Sequence, residues 1–108
     1  MFNLNRENWA PVNLLKTEDY TGQTGIAYDA VGLSVSYRIN GGTPITKTLG
    51  VGDWKEGTNG AYSIRFLASE CNTLGMIAFE VAYTNCVVYY GADQVEAEQP
   101  ILISLGRM

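Results

Sequence analysis

Histidine is absent from this 108-residue sequence. Since histidine is the commonest general base and the commonest metal ligand, its absence leaves the serines and the two cysteines without the usual activating partner. No Gly-x-Ser-x-Gly segment is present, and no pair of carboxylates marks a glycosidase-type site. We therefore expect a protein that is not an enzyme, with no catalytic residue and no cofactor.

Cysteine and charge are also scarce. Cys71 and Cys86 are too few for a disulfide framework, so we expect free, partly buried thiols, with a single disulfide between them as the alternative. Charged residues make up 17% of the chain, the net charge is −4, and there is no basic cluster. A nucleic acid is therefore not an expected partner, because phosphate backbones are bound by clustered lysine and arginine.

Long apolar runs are missing too. None approaches the ~20 residues of a membrane helix, and the first residues lack a basic stretch followed by an apolar one. We expect no membrane association, no signal peptide and synthesis in a cytoplasm. The acidic residues Asp93, Glu96 and Glu98 could suggest calcium, but that ion takes roughly six to eight oxygens from a tight loop. Glu96 and Glu98 are typical of the solvent face of a strand, so no metal ligand is predicted.

What the sequence does contain is alternation of apolar and polar residues, the pattern of strands with one buried face. It is clearest after Trp54 and a Gly-Thr-Asn-Gly turn. Three strands are predicted from their apolar members: Leu33, Val35, Tyr37 and Ile39; Tyr62, Ile64 and Phe66; Ile77, Phe79, Val81 and Tyr83.

The connections complete the predicted fold. Asn40-Gly41-Gly42 indicates a hairpin into an exposed edge strand at 45–49, protected by Pro44 and Lys47. One or two helical turns are expected at 68–74, and further strands at 86–90 and 95–105. Residues 23–108 are thus predicted to form one all-β domain: an antiparallel two-sheet β-sandwich, Ig-like or transthyretin-like, with about seven strands and one short helical turn.

Residues 1–22 are predicted to be an N-terminal arm with at best an edge strand, because Pro11 interrupts their one apolar run. A frayed terminus is the alternative. The arm carries apolar side chains that are costly to leave in water, so we expect residues 1–11 to dock on a partner and the sandwich to fold without them. Adjacent tyrosines in one strand must face opposite ways, so one of them suits a subunit interface, a sugar platform or a half-buried strand position. The predicted partner-binding residues are Phe2, Leu4, Trp9, Tyr89 and Tyr90.

Several of these features together resemble the small β-sandwich domains of virion proteins from tailed bacteriophages and prophages, over about residues 12–105. The resemblance is carried by residues 32–38, the glycine-rich hairpin, Trp54, the segment Gly60-Ala61-Tyr62-Ser63-Ile64, the turn Ala68-Ser69-Glu70, and Gly75. It implies a multi-copy structural part of a virion, made in the host cytoplasm, such as a head decoration (cement) protein or a tail or fibre component. Such a part binds itself or a capsid or tail protein as a homo-oligomer or in many copies, and the family carries no catalytic residues. A Gly-x-Tyr segment after a tryptophan turn also occurs in bacterial Ig-like modules, so the alternative is a carbohydrate- or receptor-binding sandwich.

Overall fold

The computed structural model describes residues 1–97, which form a two-sheet β-sandwich and so confirm the predicted fold class. Eight strands are present in the described part, where about seven were expected for the whole chain. A 3-10 turn, Ala68–Cys71, lies within the predicted helical segment between the sixth and seventh strands. The strands are β1 Phe2–Asn3, β2 Asn8–Asn13, β3 Ser34–Ile39, β4 Ile45–Lys47, β5 Trp54–Glu56, β6 Ala61–Phe66, β7 Gly75–Ala82 and β8 Tyr89–Glu96.

The two sheets contain five and three of these strands. The larger sheet has the order β1-β8-β7-β3-β4 and the smaller one β2-β6-β5. Every pairing is antiparallel except that of β1 with β8, which is parallel. Residues 1–97 contain no helix that could span a membrane.

Phe66 lies at the centre of the core between the sheets. It belongs to the smaller sheet, and no part of it is exposed. Its ring centroid is 5.5 Å from that of Phe2, 5.8 Å from that of Tyr37 and 5.4 Å from that of Phe79, all in the larger sheet. Tilted and edge-on contacts of this kind stabilise beyond the area they bury. The alternation predicted for β6 is therefore confirmed, with Phe66 as its most connected member.

Trp54 joins the smaller sheet to the segment that precedes β3. Its indole stacks on Tyr62 at 4.6 Å, and its ring N–H donates to the carbonyl of Ile26 at 2.8 Å. The Tyr62 hydroxyl donates to the carbonyl of Gln23 at 2.6 Å. These bonds satisfy backbone groups of residues 23–26, which lie outside any strand, and so hold this loop against β6.

The expectation that residues 1–11 form an arm outside the sandwich is wrong. β1 adds to the edge of the larger sheet beside β8, and all of β2 pairs with β6. Phe2 is only 2% exposed, and Val12 and Leu14 are completely buried. Burial of these side chains makes the first strands part of the core rather than a detachable segment. Pro11 fits because β2 is an edge strand, where a missing N–H breaks no ladder.

The edge strand predicted at 45–49 is present as β4, but its lysine has a different role from the one expected. Lys47 is buried rather than facing solvent, because its register partner on β3 is the inward-facing Val35. Towards the C-terminus, a single strand, β8, contains the end of the strand expected at 86–90 and the start of the strand expected at 95–105. The rest of the strand expected at 95–105 lies outside the described residues from residue 98 onwards.

Candidate interaction surfaces

The outer face of the larger sheet is the first candidate surface. Alternation sends Ile77, Phe79 and Val81 of β7 into the core and their neighbours outward. We call the outward residues of the three central strands the Tyr90 face, after the tyrosine that is 73% exposed there. The Tyr90 face consists of Ser34, Ser36, Arg38, Met76, Ala78, Glu80, Ala82, Tyr90, Ala92, Gln94 and Glu96.

A groove of about 160 Å³ lies at the middle of the Tyr90 face. Its floor is Ala78, and Tyr90, Arg38 and Glu80 stand around it. The register explains this arrangement, because Glu80 pairs with Tyr90 while Arg38 pairs with Ala78. Small side chains on the floor and long ones at the sides give a depression large enough for an aromatic ring.

The two charges beside the groove are not paired with each other. Arg38 donates a long hydrogen bond, 3.4 Å, to the carbonyl of Gly42, and Glu80 accepts one of 3.4 Å from the Ser36 hydroxyl. Neither side chain forms an ion pair within residues 1–97. The face therefore presents one positive and one negative group, neither in an ion pair, on either side of an apolar floor.

The outer face of the smaller sheet is chemically different. Its Trp9 ring, in a residue that is 37% exposed, is covered by two cations of its own chain. The Lys55 ammonium lies 4.7 Å from the ring centroid, and the Arg65 guanidinium 5.9 Å. Arg65 is in turn held by Asp53 at 2.8 Å and approaches Glu7 at 3.6 Å. The aromatic and charged groups of this face thus satisfy one another.

Asp53 is the buried acid of that network. Burial alone would raise the pKa of its carboxyl. The Gly50 N–H, which donates to it at 2.7 Å, and the bonds and charges of Arg65 and Lys47 outweigh burial and hold the pKa below its ordinary value. The charged Asp53 carboxylate therefore has a structural role, because it links the start of β5 to β6 through the Arg65 side chain. The backbone carbonyl of Asp53 makes a second link by accepting from the backbone N–H of Arg65.

The structure separates the five residues that the sequence suggested for partner binding. The prediction for Phe2 is wrong: Phe2 is a core residue, because β1 places its ring between the sheets. Leu4 is half-buried against the same core, and Tyr89 is half-buried with its ring 6.2 Å from that of Phe79. Trp9 and Tyr90 remain exposed, but they lie on opposite outer faces of the sandwich and so belong to no common site.

Gly91 is the next inward position of β8 after Tyr89. It pairs with Phe79, and a Cβ at this position would lie 2.4 Å from the end of the Phe79 ring. The inward side of β8 therefore leaves room for that ring. The sequence predicted that one of the two adjacent tyrosines faces outward, without saying which. Arg38, Ala78 and Glu80 become neighbours of Tyr90 only through strand register, which the alternation pattern alone does not specify.

A second concave region lies at one end of the sandwich, between the hairpin of residues 15–22 and the turn of residues 83–86. This polar end cleft has a volume of about 470 Å³, within the range of small-molecule sites. It is lined by Lys16, Thr17, Glu18, Gln23, Tyr83, Thr84 and Asn85. No sequence motif indicated it, because its two walls are more than 60 residues apart in the chain.

Both cysteines are free and buried, as expected, and no disulfide joins them. Burial raises the pKa of the Cys71 thiol despite a hydrogen bond from Asn8, and burial also raises that of Cys86 despite the nearby charge of Lys16. Since the thiolate is the nucleophile, these two groups are poorly suited to covalent chemistry at neutral pH. Within the described range, no three histidine, cysteine or acidic side chains are grouped to hold a metal ion.

Comparison with known proteins adds no relative to this description: no protein-family model, no curated protein and no solved structure matches the chain.

Proposed function

We propose that this chain is a non-enzymatic structural protein of a bacteriophage virion, in which it associates with copies of itself or attaches to a capsid or tail protein. A head decoration (cement) protein and a tail component are the two positions that the sequence resemblance implies. The proposal draws on the sequence resemblance to virion sandwich domains. The structural observation that carries it is the Tyr90 face.

The composition of the Tyr90 face supports an interface. Interface centres are depleted in charge and enriched in tyrosine, methionine and arginine. Here Tyr90 and Met76 are well exposed, the floor is alanine, and the charged groups stand at the sides. An exposed tyrosine beside a groove is also the arrangement from which binding hot spots are built.

A second copy of the chain is the occupant that this face fits best. In a two-fold interface, residue i of one copy contacts residue j of the other, and j contacts i in return. Arg38 and Glu80, which have opposite charges and no ion-pair partner among the described residues, lie on this same face. A two-fold axis that passes between them would pair each of these groups with its counterpart in the second copy and bury both Tyr90 rings in the interface.

Sedimentation velocity of the purified chain tests this proposal over about 1–100 μM, the range in which weak interfaces become populated. The wild type is expected to dimerise or to form larger assemblies, and Tyr90→Lys to stay monomeric. Tyr20→Lys is the matched control, because Tyr20 is 69% exposed but belongs to the hairpin of residues 15–22 and not to the Tyr90 face.

A charge swap tests the two-fold arrangement itself. Arg38→Glu and Glu80→Arg should each weaken association by like-charge repulsion, and the double swap should restore it. A wild type that stays monomeric throughout the range, with Tyr90→Lys behaving alike, would contradict self-association and favour the alternative of a carbohydrate- or receptor-binding module.

The virion assignment needs its own measurement. Mass spectrometry of particles purified from a culture that carries this gene should detect the chain in many copies per particle. If cells express the chain but the particles purified from them do not contain it, the virion assignment is contradicted, even if the chain self-associates.

A further inference from the structure

The polar end cleft has rigid walls. The carbonyl of Asn85 accepts from the N–H of Thr17 at 3.0 Å and from its hydroxyl at 3.2 Å, while the N–H of Val87 donates to Leu15 at 2.8 Å. These bonds tie the hairpin of residues 15–22 to the turn of residues 83–86. The two walls are therefore fixed relative to each other before any ligand arrives, which lowers the entropy cost of binding.

The hairpin wall is also fixed internally. The N–H of Lys16 donates to Thr21 at 2.8 Å, and the N–H of Tyr20 donates back to Lys16 at 2.9 Å. The Asp19 carboxylate accepts from both the N–H and the hydroxyl of Thr21, at 3.0 and 2.7 Å. Tyr20 is held at a φ of 59°, which a bulky side chain rarely adopts.

Hydrogen-bonding groups without a protein partner converge on the cleft. In the described part of the chain, the Lys16 ammonium, the Asn85 side-chain amide and the Tyr83 hydroxyl make no hydrogen bond or ion pair to protein, and Gln23 uses only its amide nitrogen, on Thr24. Donors and acceptors are therefore interspersed over a short distance. A ligand that matches them carries many small groups able both to donate and to accept.

The charges of the lining favour a neutral ligand. Lys16 is the one cation and Glu18 the one anion among the lining residues. The lining residues therefore carry no net charge that would select a phosphate or an ammonium compound. The half-buried Tyr83 ring adds an apolar surface of the kind on which the C–H face of a sugar ring can pack.

We propose that the polar end cleft is a binding site for a neutral saccharide. The sugar hydroxyls bond to Lys16, Gln23, Asn85 and the hydroxyl of Tyr83, and one sugar ring packs against the Tyr83 ring. This site goes beyond the structural role proposed above and does not depend on it, because the residues of the cleft and of the Tyr90 face do not overlap.

Titration of the ¹⁵N-labelled full chain tests the site, with amide shifts as the readout. The probes are trisaccharides of glucose, mannose, galactose and N-acetylglucosamine, each up to about 10 mM, which detects dissociation constants near ~1 mM. At least one of the neutral trisaccharides should shift the amide resonances of residues 16–23 and 83–86 selectively. A trisaccharide of galacturonic acid serves as the anionic comparison and should bind more weakly than its neutral counterpart.

Variants assign the binding to the named groups. Lys16→Ala and Tyr83→Phe should each weaken binding roughly fivefold, the loss expected for one hydrogen bond, while their melting temperatures stay near that of the wild type. Lys55→Ala, on the outer face of the smaller sheet, and Tyr90→Ser should bind as the wild type does.

Three results would overturn the proposal. They are no selective shift with any neutral probe, unchanged affinity in both cleft variants, and tighter binding of the anionic sugar. Since Tyr90→Ser is expected to weaken self-association and to leave the cleft unchanged, failure of the saccharide site and failure of the proposed interface are seen in different measurements.

Discussion

Lys47 offers the sharpest test of how the sandwich is held together, because its ammonium group is almost completely removed from water. The side chain is 1% exposed, and Nζ lies 2.6 Å from Oε1 of Glu70 in the 3-10 turn. The same oxygen accepts the N–H of Leu67 at 2.7 Å, and Nζ lies 5.1 Å from the centroid of the Phe66 ring. One ion pair thus joins edge strand β4, the turn and the centre of the core.

Removing one partner of such a pair leaves the other charge buried. Breaking a buried ion pair costs about 3–5 kcal/mol, and since Lys47→Met retains most of the side-chain volume, we expect about 2–3 kcal/mol for it. Glu70→Gln should cost a similar amount, because the lysine then lacks a counter-charge. At roughly 4 °C per kcal/mol for a domain of this size, each variant should melt about 8–12 °C below the wild type.

The double variant distinguishes a buried pair from two solvated charges. With no buried charge left, Lys47→Met/Glu70→Gln should lie within about 2 kcal/mol of the wild type, which corresponds to a coupling of at least ~2 kcal/mol. Urea unfolding monitored by tryptophan fluorescence gives all four free energies. Lys55→Met is the control, an exposed lysine whose contact with Trp9 is worth about 0.5–1 kcal/mol. Additive single effects, or single losses below about 1 kcal/mol, would refute the reasoning.

Two further predictions concern the N-terminal strand and the buried acid. Phe2→Ala should lower the free energy of unfolding in urea by about 3–5 kcal/mol, because the Phe2 ring packs on Phe66. The control Val31→Ala, at a position 96% exposed, should change it little. Equal effects of the two variants would mean that β1 detaches as an arm. Asp53→Asn should cost about 1.5–3 kcal/mol near neutral pH through its bond to Arg65. The pKa of Asp53 is lowered on folding, so its contribution to the free energy of unfolding is complete above the ordinary pKa of 3.8. That contribution is lost as the pH falls through the lower pKa of the folded state. The free energies of unfolding of wild type and variant should therefore become equal in acid. A stability difference that stays constant down to about pH 2 would contradict this assignment.

The strands that the sequence predicted well are those whose inward positions carry large apolar side chains. β3, β6 and β7 each place two or three such residues at alternate positions, which is the pattern of a half-buried strand. β2 also alternates perfectly in burial, but its inward residues include Asn8 and Ala10, which carry little hydrophobic signal. β1 has only two residues, and its partner Val95 lies at the other end of the described chain. Its burial therefore depends on a contact that no local pattern contains.

The candidate sites were predictable to a smaller extent, for the same reason. That one of two adjacent tyrosines must face outward follows from the geometry of a strand, and Tyr90 does. The groove beside it depends on the register of β3 against β7 and of β7 against β8. The polar end cleft depends on two loops meeting in space. Lys47 looked like a solvent-facing edge lysine because its counter-charge, Glu70, lies in a different element.

The contrast between the two outer faces decides which of them is the better interface. On the smaller sheet, Trp9 is covered by Lys55 and Arg65, and Arg65 is neutralised by Asp53, so a partner would have to displace interactions already made. On the larger sheet, the Tyr90 ring has no cation over it within the described residues, and Arg38 has no carboxylate in contact. A partner can bind there without breaking interactions inside the chain. Since the binding free energy is what remains after displaced interactions are subtracted from new ones, the Tyr90 face is favoured even though tryptophan is the commoner hot-spot residue.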